Sequence, residues 1–178
     1  MKIILLITTI VFLLNCNNES RTLGTTHEAK TPESKVVLPF KLAYDGTPSI
    51  GKMRNVATVM KFNGDFIAGK VENIGSYFAD SVHVIFASGR EITTVRDTVV
   101  AQIKGYWGSI SSARQSYIAA IAVDNKEKGD EWVFQWIDES HDFKDGKKDH
   151  RIYHQDYRLE NGKIREMLEY AQEIPTKK

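Results

Sequence analysis

Between Glu131 and Tyr170 the chain alternates apolar and polar residues in three runs, separated by Asp145-Gly146 and Asn161-Gly162. A period of two marks strands with one buried face, and Asp-Gly and Asn-Gly are the dipeptides of tight hairpin turns. The pattern predicts a three-stranded antiparallel meander. Read as two-residue loops, the turns set Trp132 against Leu159, Phe134 against Tyr157, Trp136 against Gln155 and Asp138 against Tyr153. Across the second turn Leu159 meets Ile164, Tyr157 meets Glu166, Gln155 meets Leu168 and Tyr153 meets Tyr170. This row is the expected core face. Gln135, Glu139, His141, His150, His154, Asp156, Arg158, Arg165 and Glu169 are expected to face solvent, with Val133 and Ile137 among them.

The expected inner row carries Asp138, Gln155 and Glu166 beside the hydroxyls of Tyr153, Tyr157 and Tyr170. A buried polar group without a partner costs about 1 to 3 kcal/mol. These groups therefore either pair, as Glu166 with Tyr157, or line a pocket that a small, partly apolar ligand enters. Trp136, Asp138, Tyr153, Gln155, Tyr157, Glu166 and Tyr170 are the candidate ligand-binding residues. The expectation has a condition: if Trp132, Trp136, Tyr157 and Glu166 fell on opposite faces, no such pocket should form.

Upstream, Met53, Val56, Ala57, Met60 and Ile67 recur at helical spacing between Lys52 and Lys70, with Val59, Phe62 and Phe66 widening the stripe. This predicts an amphipathic helix laid across the aromatic face of the meander. A short helix over Val71 to Phe78 and a strand over Val82 to Phe86 follow. Thr94, three residues before Asp97, predicts a capped helix running past Val99, Ile103 and Trp107. Ser116 to Asp124 reads as a strand, and Pro175 ends the last one. The fold class is α+β.

The N-terminus has its own pattern. Met1-Lys2 precedes an apolar run from Ile3 to Leu14, shorter than the about 20 residues that span a bilayer. Residues 1–15 read as an export signal. Leu13-Leu14-Asn15-Cys16 resembles the bacterial lipoprotein processing site, with Asn15 where a small residue is usual; that resemblance implies diacylation of Cys16 and anchorage at the cell envelope. Cys16 is the single cysteine of the chain, so it has no internal disulfide partner; a free thiol behind an ordinary signal peptide is the plain alternative. Residues 16–50 read as a polar tether passing into an extended lead-in from Val36, and residues 51–175 as one folded domain.

Composition is that of a globular protein, 42% hydrophobic and 26% charged in 178 residues. The 24 basic and 23 acidic residues become equal once residues 1–15, with Lys2, are removed. Without a basic stripe, nucleic acid is not an expected partner. His141, His150 and His154 among Asp142, Asp149 and Asp156 fall short of a convergent zinc set, and no Gly-x-Ser-x-Gly elbow or phosphate loop is present. No metal or cofactor is expected.

Ser76-Tyr77-Phe78-Ala79-Asp80-Ser81-Val82 and Tyr157-Arg158-Leu159-Glu160-Asn161-Gly162-Lys163-Ile164, with Glu166 and Tyr170, resemble the SnoaL-like branch of the nuclear transport factor 2 family. The order of elements from Lys52 to Glu173 resembles it too. The resemblance implies a cone, in which a curved antiparallel sheet wraps N-terminal helices around a pocket, often in a dimer formed through the sheet. It places Phe86 where ketosteroid-isomerase-like members hold a base Asp, and Phe cannot accept a proton. Two readings stay open: a lipid-anchored, noncatalytic module binding a small ligand or a partner protein, or a lyase or isomerase of a hydrophobic carbonyl compound. In the second, Glu166 shuttles the proton, its pKa raised by aromatic surroundings, and Tyr153 or Asp138 donates a hydrogen bond. A filled cone with an apolar outer sheet would instead mark a scaffold.

Overall fold

The computed structural model describes residues 48–174. The export signal, Cys16, most of the tether and Pro175 lie outside the described residues. Two helices, α1 (Met53–Ile67) and α2 (Arg96–Ser109), pack on a curved, unclosed sheet of β1 (Pro48–Ile50), β2 (Phe78–Ile85), β3 (Glu91–Val95), β4 (Ile110–Asn125), β5 (Asp130–Phe143), β6 (Lys148–Glu160) and β7 (Lys163–Glu173). The strand order is β1-β4-β5-β6-β7-β2-β3, antiparallel except for the β2–β7 pair. This is the expected α+β cone. Gly51 joins β1 to α1 where a Cβ would sit 2.6 Å from Asp124 Oδ1 and 2.8 Å from the Val123 nitrogen, so only glycine lets the chain pass.

The meander forms, but its first turn is longer than expected. Lys144, Asp145 and Gly146 make a three-residue loop, closed by Phe143 N–H to Lys147 O at 2.9 Å and Gly146 N–H to Phe143 O at 3.0 Å. Gly146 takes φ +87°, and Asp145 Oδ1 accepts the Lys147 N–H at 3.0 Å. Trp132 therefore opposes Arg158 rather than Leu159, and Trp136 opposes His154 rather than Gln155. A one-residue slip moves every side chain of a strand to the other face. Val133, Gln135, Ile137, Glu139 and His141 are buried in the place expected for Trp132, Phe134, Trp136 and Asp138.

The second turn is the expected two-residue loop, with Asn161 at φ +52° and Gly162 at φ +74°, and Leu159 meets Ile164 as read. Immediately beyond, a β-bulge opposes Arg158 to Glu166 and leaves Arg165 as the extra residue. The rest of β7 is turned over, so Tyr157 meets Met167 and Gln155 meets Glu169. Glu166, Leu168 and Tyr170 face outward.

The core lies between α1 and the concave face. Val56, Val59 and Phe62 pack against Ile74, Phe78, Val82, Tyr157, Leu159 and Ile164. The buried seam of α1 is rotated from the expected stripe: Met53 and Met60 are 68% and 40% exposed, while Asn55 and Asn63 are buried. Asn55 is tied down by its Nδ2 donating to Glu131 Oε2 at 2.7 Å, and Asn63 by donating to the Tyr117 hydroxyl at 3.1 Å. The short helix over Val71 to Phe78 is one 3-10 turn, Ile74–Tyr77, and Phe78 already belongs to β2. Thr94 caps nothing; it pairs with Val82 in β3, and α2 starts at Arg96 without a side-chain cap. Pairing to the sheet edge outweighs a cap, which is worth about 1 kcal/mol.

Candidate functional site

A cavity of about 500 Å³ lies between α1, α2 and the concave sheet, with Phe86, Ala87, Ser88 and Arg90 in its lining. Phe62, Phe66, Val84, Val99, Ile103 and Met167 supply apolar wall, and the rings of Phe66 and Tyr106 stack 6.2 Å apart at 7°. Phe86 lines the cavity with the Arg90 guanidinium over its ring at 4.2 Å. Most of the polar groups come from the alternate row of β5 and the facing rows of β6 and β7, among them Glu139, His141, Asp149, Arg151, Tyr153, Gln155 and Glu169, with Asn63, Ser88, Arg90 and Gln102 added from outside these strands.

These groups form two linked sets. The Tyr106 hydroxyl lies 3.1 Å from His141 Nδ1, and His141 Nε2 lies 3.3 Å from Glu139 Oε1. Glu139 Oε2 accepts a hydrogen bond from Gln115 Nε2 at 2.5 Å. In the second set the Tyr157 hydroxyl donates to Gln155 Oε1 at 2.9 Å, and Gln135 Nε2 donates to the same oxygen at 2.7 Å. Gln155 Nε2 then donates to Glu169 Oε1 at 3.2 Å. These networks hold their side chains in place but are not fully satisfied, since His141 Nε2 and Gln135 Oε1 are buried without a hydrogen-bond partner.

Burial dominates the electrostatics. It pushes the Glu139 carboxyl up to about 7, against the hydrogen bond from Gln115 and with help from Glu169 and Asp149. Glu169 is raised as well, by burial, despite the hydrogen bond from Gln155. Burial lowers His141, leaving its imidazole neutral near pH 7, and raises Tyr106 to about 12 and Tyr153 and Tyr157 above the ordinary phenol. A carboxyl that titrates near neutrality beside an imidazole can hold or release a proton; the same cavity can also simply enclose a ligand.

Of the residues singled out in the sequence, Tyr153, Gln155 and Tyr157 line the cavity, and Trp136, Asp138, Glu166 and Tyr170 do not. Asp138 faces outward, with His150 Nε2 2.8 Å from its Oδ1. Glu166 is held by Arg158 Nε at 2.8 Å and by His83 Nδ1 at 3.0 Å, not by Tyr157. A proton shuttle at Glu166 is thereby overturned: its carboxyl is on the wrong side of the sheet. His83 also contacts Glu91 at 2.9 Å; that hydrogen bond first, then Glu166, raises its imidazole pKa. His141 and His150 do not face each other, since His141 pairs with Asp149 and His150 with Ser140, on opposite faces. Among the described residues no group of three or more His, Cys, Asp and Glu could hold a metal ion.

Trp132, Trp136 and Glu166 are thus split from Tyr157, the condition under which no pocket was expected. A cavity forms nonetheless, because the slip brings a row that is itself half polar to the concave face. Glu139, His141 and Glu169, expected from the pattern to face solvent, line the cavity. The signal was present in Val133 and Ile137, β-branched residues that suit a packed inner row better than an outer one.

No protein-family model matches the chain, and no curated protein sequence matches it. Solved structures do. An epoxide hydrolase of Mycobacterium tuberculosis described as LEH-like superposes with a TM-score of 0.58 at 9% identity, covering 67% of this chain and 84% of its own. An NTF2-like protein of unknown function from Exiguobacterium gives 0.55 at 14% identity, covering 65% and 98%. The fold is NTF2-like. A putative ketosteroid isomerase from Kribbella flavida gives 0.54 at 10% identity over 72% and 85%. Identities this low carry the NTF2-like fold and no activity, and the names alone span hydrolase and isomerase.

Proposed function

We propose that the chain is a SnoaL-like module, held at the cell envelope by acyl chains on Cys16, that binds a small, partly apolar molecule in its cone without transforming it. The observation that carries this is the cavity itself, about 500 Å³ with mostly apolar walls and a few converging polar groups, the usual form of a small-molecule site. Phe86 at the position of the isomerase base supports binding over catalysis. Trp132, Phe134, Trp136 and His154 form a stacked aromatic band on the outer sheet face, with Trp136 and His154 4.6 Å apart. That band offers a homodimer, or a partner protein, an apolar surface away from the cavity.

Mass spectrometry of compounds retained by the purified full chain tests the reading. The wild type should elute with a bound compound, and Ile103→Phe, which adds bulk to the cavity wall, should elute without it while remaining folded by circular dichroism. An empty wild type removes the proposal. The lyase or isomerase reading keeps one observation in its favour, the Glu139 carboxyl near neutrality beside His141 and Tyr106. Under that reading the retained compound, returned to fresh protein, is converted; under ours it is recovered unchanged. The anchor has a separate test. Acyl chains contribute about 0.8 kcal/mol per buried methylene, so Cys16→Ser should move the chain from the membrane fraction to the soluble one, and continued sedimentation with membranes would refute lipidation.

A further inference from the structure

Of the three carboxyl groups that line the cavity, Asp149 pairs with Arg151, whereas Glu139 and Glu169 have no arginine or lysine in ion-pair contact. Glu139, 7% exposed, takes its hydrogen bond from the neutral Gln115 amide. Glu169 takes its hydrogen bonds from the Gln155 amide and the Ala87 backbone. The two arginines of the lining have their close contacts elsewhere, and Arg151 acts on Glu169 only through its charge at a distance. Arg151 stands opposite Glu139 across the β5–β6 pair, yet its guanidinium turns to Asp149 at 2.8 Å and Glu173 at 3.3 Å. Arg90 lies over the Phe86 ring. A further, independent sign is His141, 3% exposed on the cavity wall, whose Nε2 has no hydrogen-bond partner because the nearby Glu139 oxygen is out of line.

From this juxtaposition we infer that the ligand of the cavity is an organic cation, a protonated amine on an apolar body, with its ammonium between Glu139 and Glu169 and its body against Phe62, Phe66 and Tyr106. The inference rests on the reading that the cavity binds a small molecule, and names its chemical class. An ammonium brings both carboxylates a charged N–H donor beside the neutral amides they already have, and a third for His141 Nε2 when the imidazole proton sits on Nδ1 toward Tyr106. Buried charge is costly alone and tolerable when paired and hydrogen-bonded, so the cation relieves what the empty cavity bears. The aromatic faces add cation–π attraction. A neutral ligand of the same shape leaves the carboxylates unpaired, and an anion meets them as like charge.

Isothermal titration of the full chain at pH 7.5 with 4-phenylbutylamine, 4-phenylbutanol and 4-phenylbutanoate separates these cases. The amine should bind tightest, about tenfold or more over the alcohol, equivalent to about 1.4 kcal/mol, and the butanoate weakest. Glu139→Gln and Glu169→Gln should each erase most of that preference; these amides keep an oxygen for the existing donors, so the fold is retained. Amine binding at pH 7 should also release protons from the wild type, read as an enthalpy that changes with the ionisation heat of the buffer, and fewer from Glu139→Gln. Alcohol and amine binding equally would overturn the cation assignment and leave the cavity reading standing. Binding of none of the three would overturn the assignment and count against the cavity reading as well.

Discussion

Phe62→Ala should destabilise the domain by about 3 to 5 kcal/mol, the usual range for emptying a buried aromatic site. Phe62 is 5% exposed, and its ring meets four others: Phe78 at 5.1 Å, Tyr77 at 6.1 Å, Tyr157 at 6.2 Å and Phe66 at 6.5 Å. The contacts are mostly edge to face, the geometry that adds to burial rather than merely accompanying it. Collapse around the void is hindered on one side by the cavity and on the other by the inner sheet, so relaxation recovers little. Since domains of this size are stable by about 5 to 15 kcal/mol in all, the loss should show as a large fall in the urea midpoint. Met60→Ala is the control. The helical stripe read from sequence puts Met60 in the core, whereas in the fold it is 40% exposed, and its truncation should stay within about 0.5 kcal/mol. Equal costs at the two positions would mean that α1 presents a different face to the sheet.

That contrast shows where the sequence was readable. The helix α1, the strands β4 to β7 and the positions of both hairpin turns follow from period and turn chemistry, because those signals are local, whereas the cone shape follows only from the family resemblance. Register is not local. Asp145-Gly146 marks a turn, but whether Lys144 belongs to the loop depends on a left-handed Gly146 closing onto Phe143. Both rows of β5 could be buried: one holds Trp132, Phe134 and Trp136, the other Val133 and Ile137. Aromatic bulk favours the first on pattern alone, and packing under α1 selects the second. The bulge at Arg165 leaves no mark in composition, and it carries Glu166 outward and Glu169 inward. Three candidates on β6, Tyr153, Gln155 and Tyr157, reach the concave face because β6 is the strand whose inner row was read correctly. Those on β5 and β7 were misplaced by one residue each. On α1 the two competing seams lie side by side around the helix, and the polar Asn55 and Asn63 disguise the one that is buried. β3 was hidden because Thr94 and Asp97 imitate a capping pair.

Glu139→Gln should make the protein more stable at pH 8 and leave it nearly unchanged at pH 4. Burial raises the Glu139 carboxyl from 4.5 to about 7 in the folded chain, while the unfolded chain keeps the ordinary value. A group with a raised folded pKa favours the folded state most below its unfolded value, and that advantage is lost as pH climbs through the folded one. For Glu139 the loss therefore starts near pH 4.5 and is complete a little above pH 7. At about 1.4 kcal/mol per pH unit, the shift corresponds to a cost on the order of 3 kcal/mol in the wild type at pH 8. The amide carries no charge to desolvate and can still accept from Gln115 Nε2, so the variant should escape that cost. Urea unfolding of both proteins at pH 4, 6 and 8 checks it: the stability difference should open with pH in favour of the variant, and a difference that is flat or of opposite sign would mean that Glu139 is not buried as a carboxylate. Stability given up at a buried carboxyl can be offset by function, where a site needs a group the fold alone would not favour. An ammonium seated beside Glu139 supplies that offset, so the variant that unfolds last should also be the one that binds an amine least.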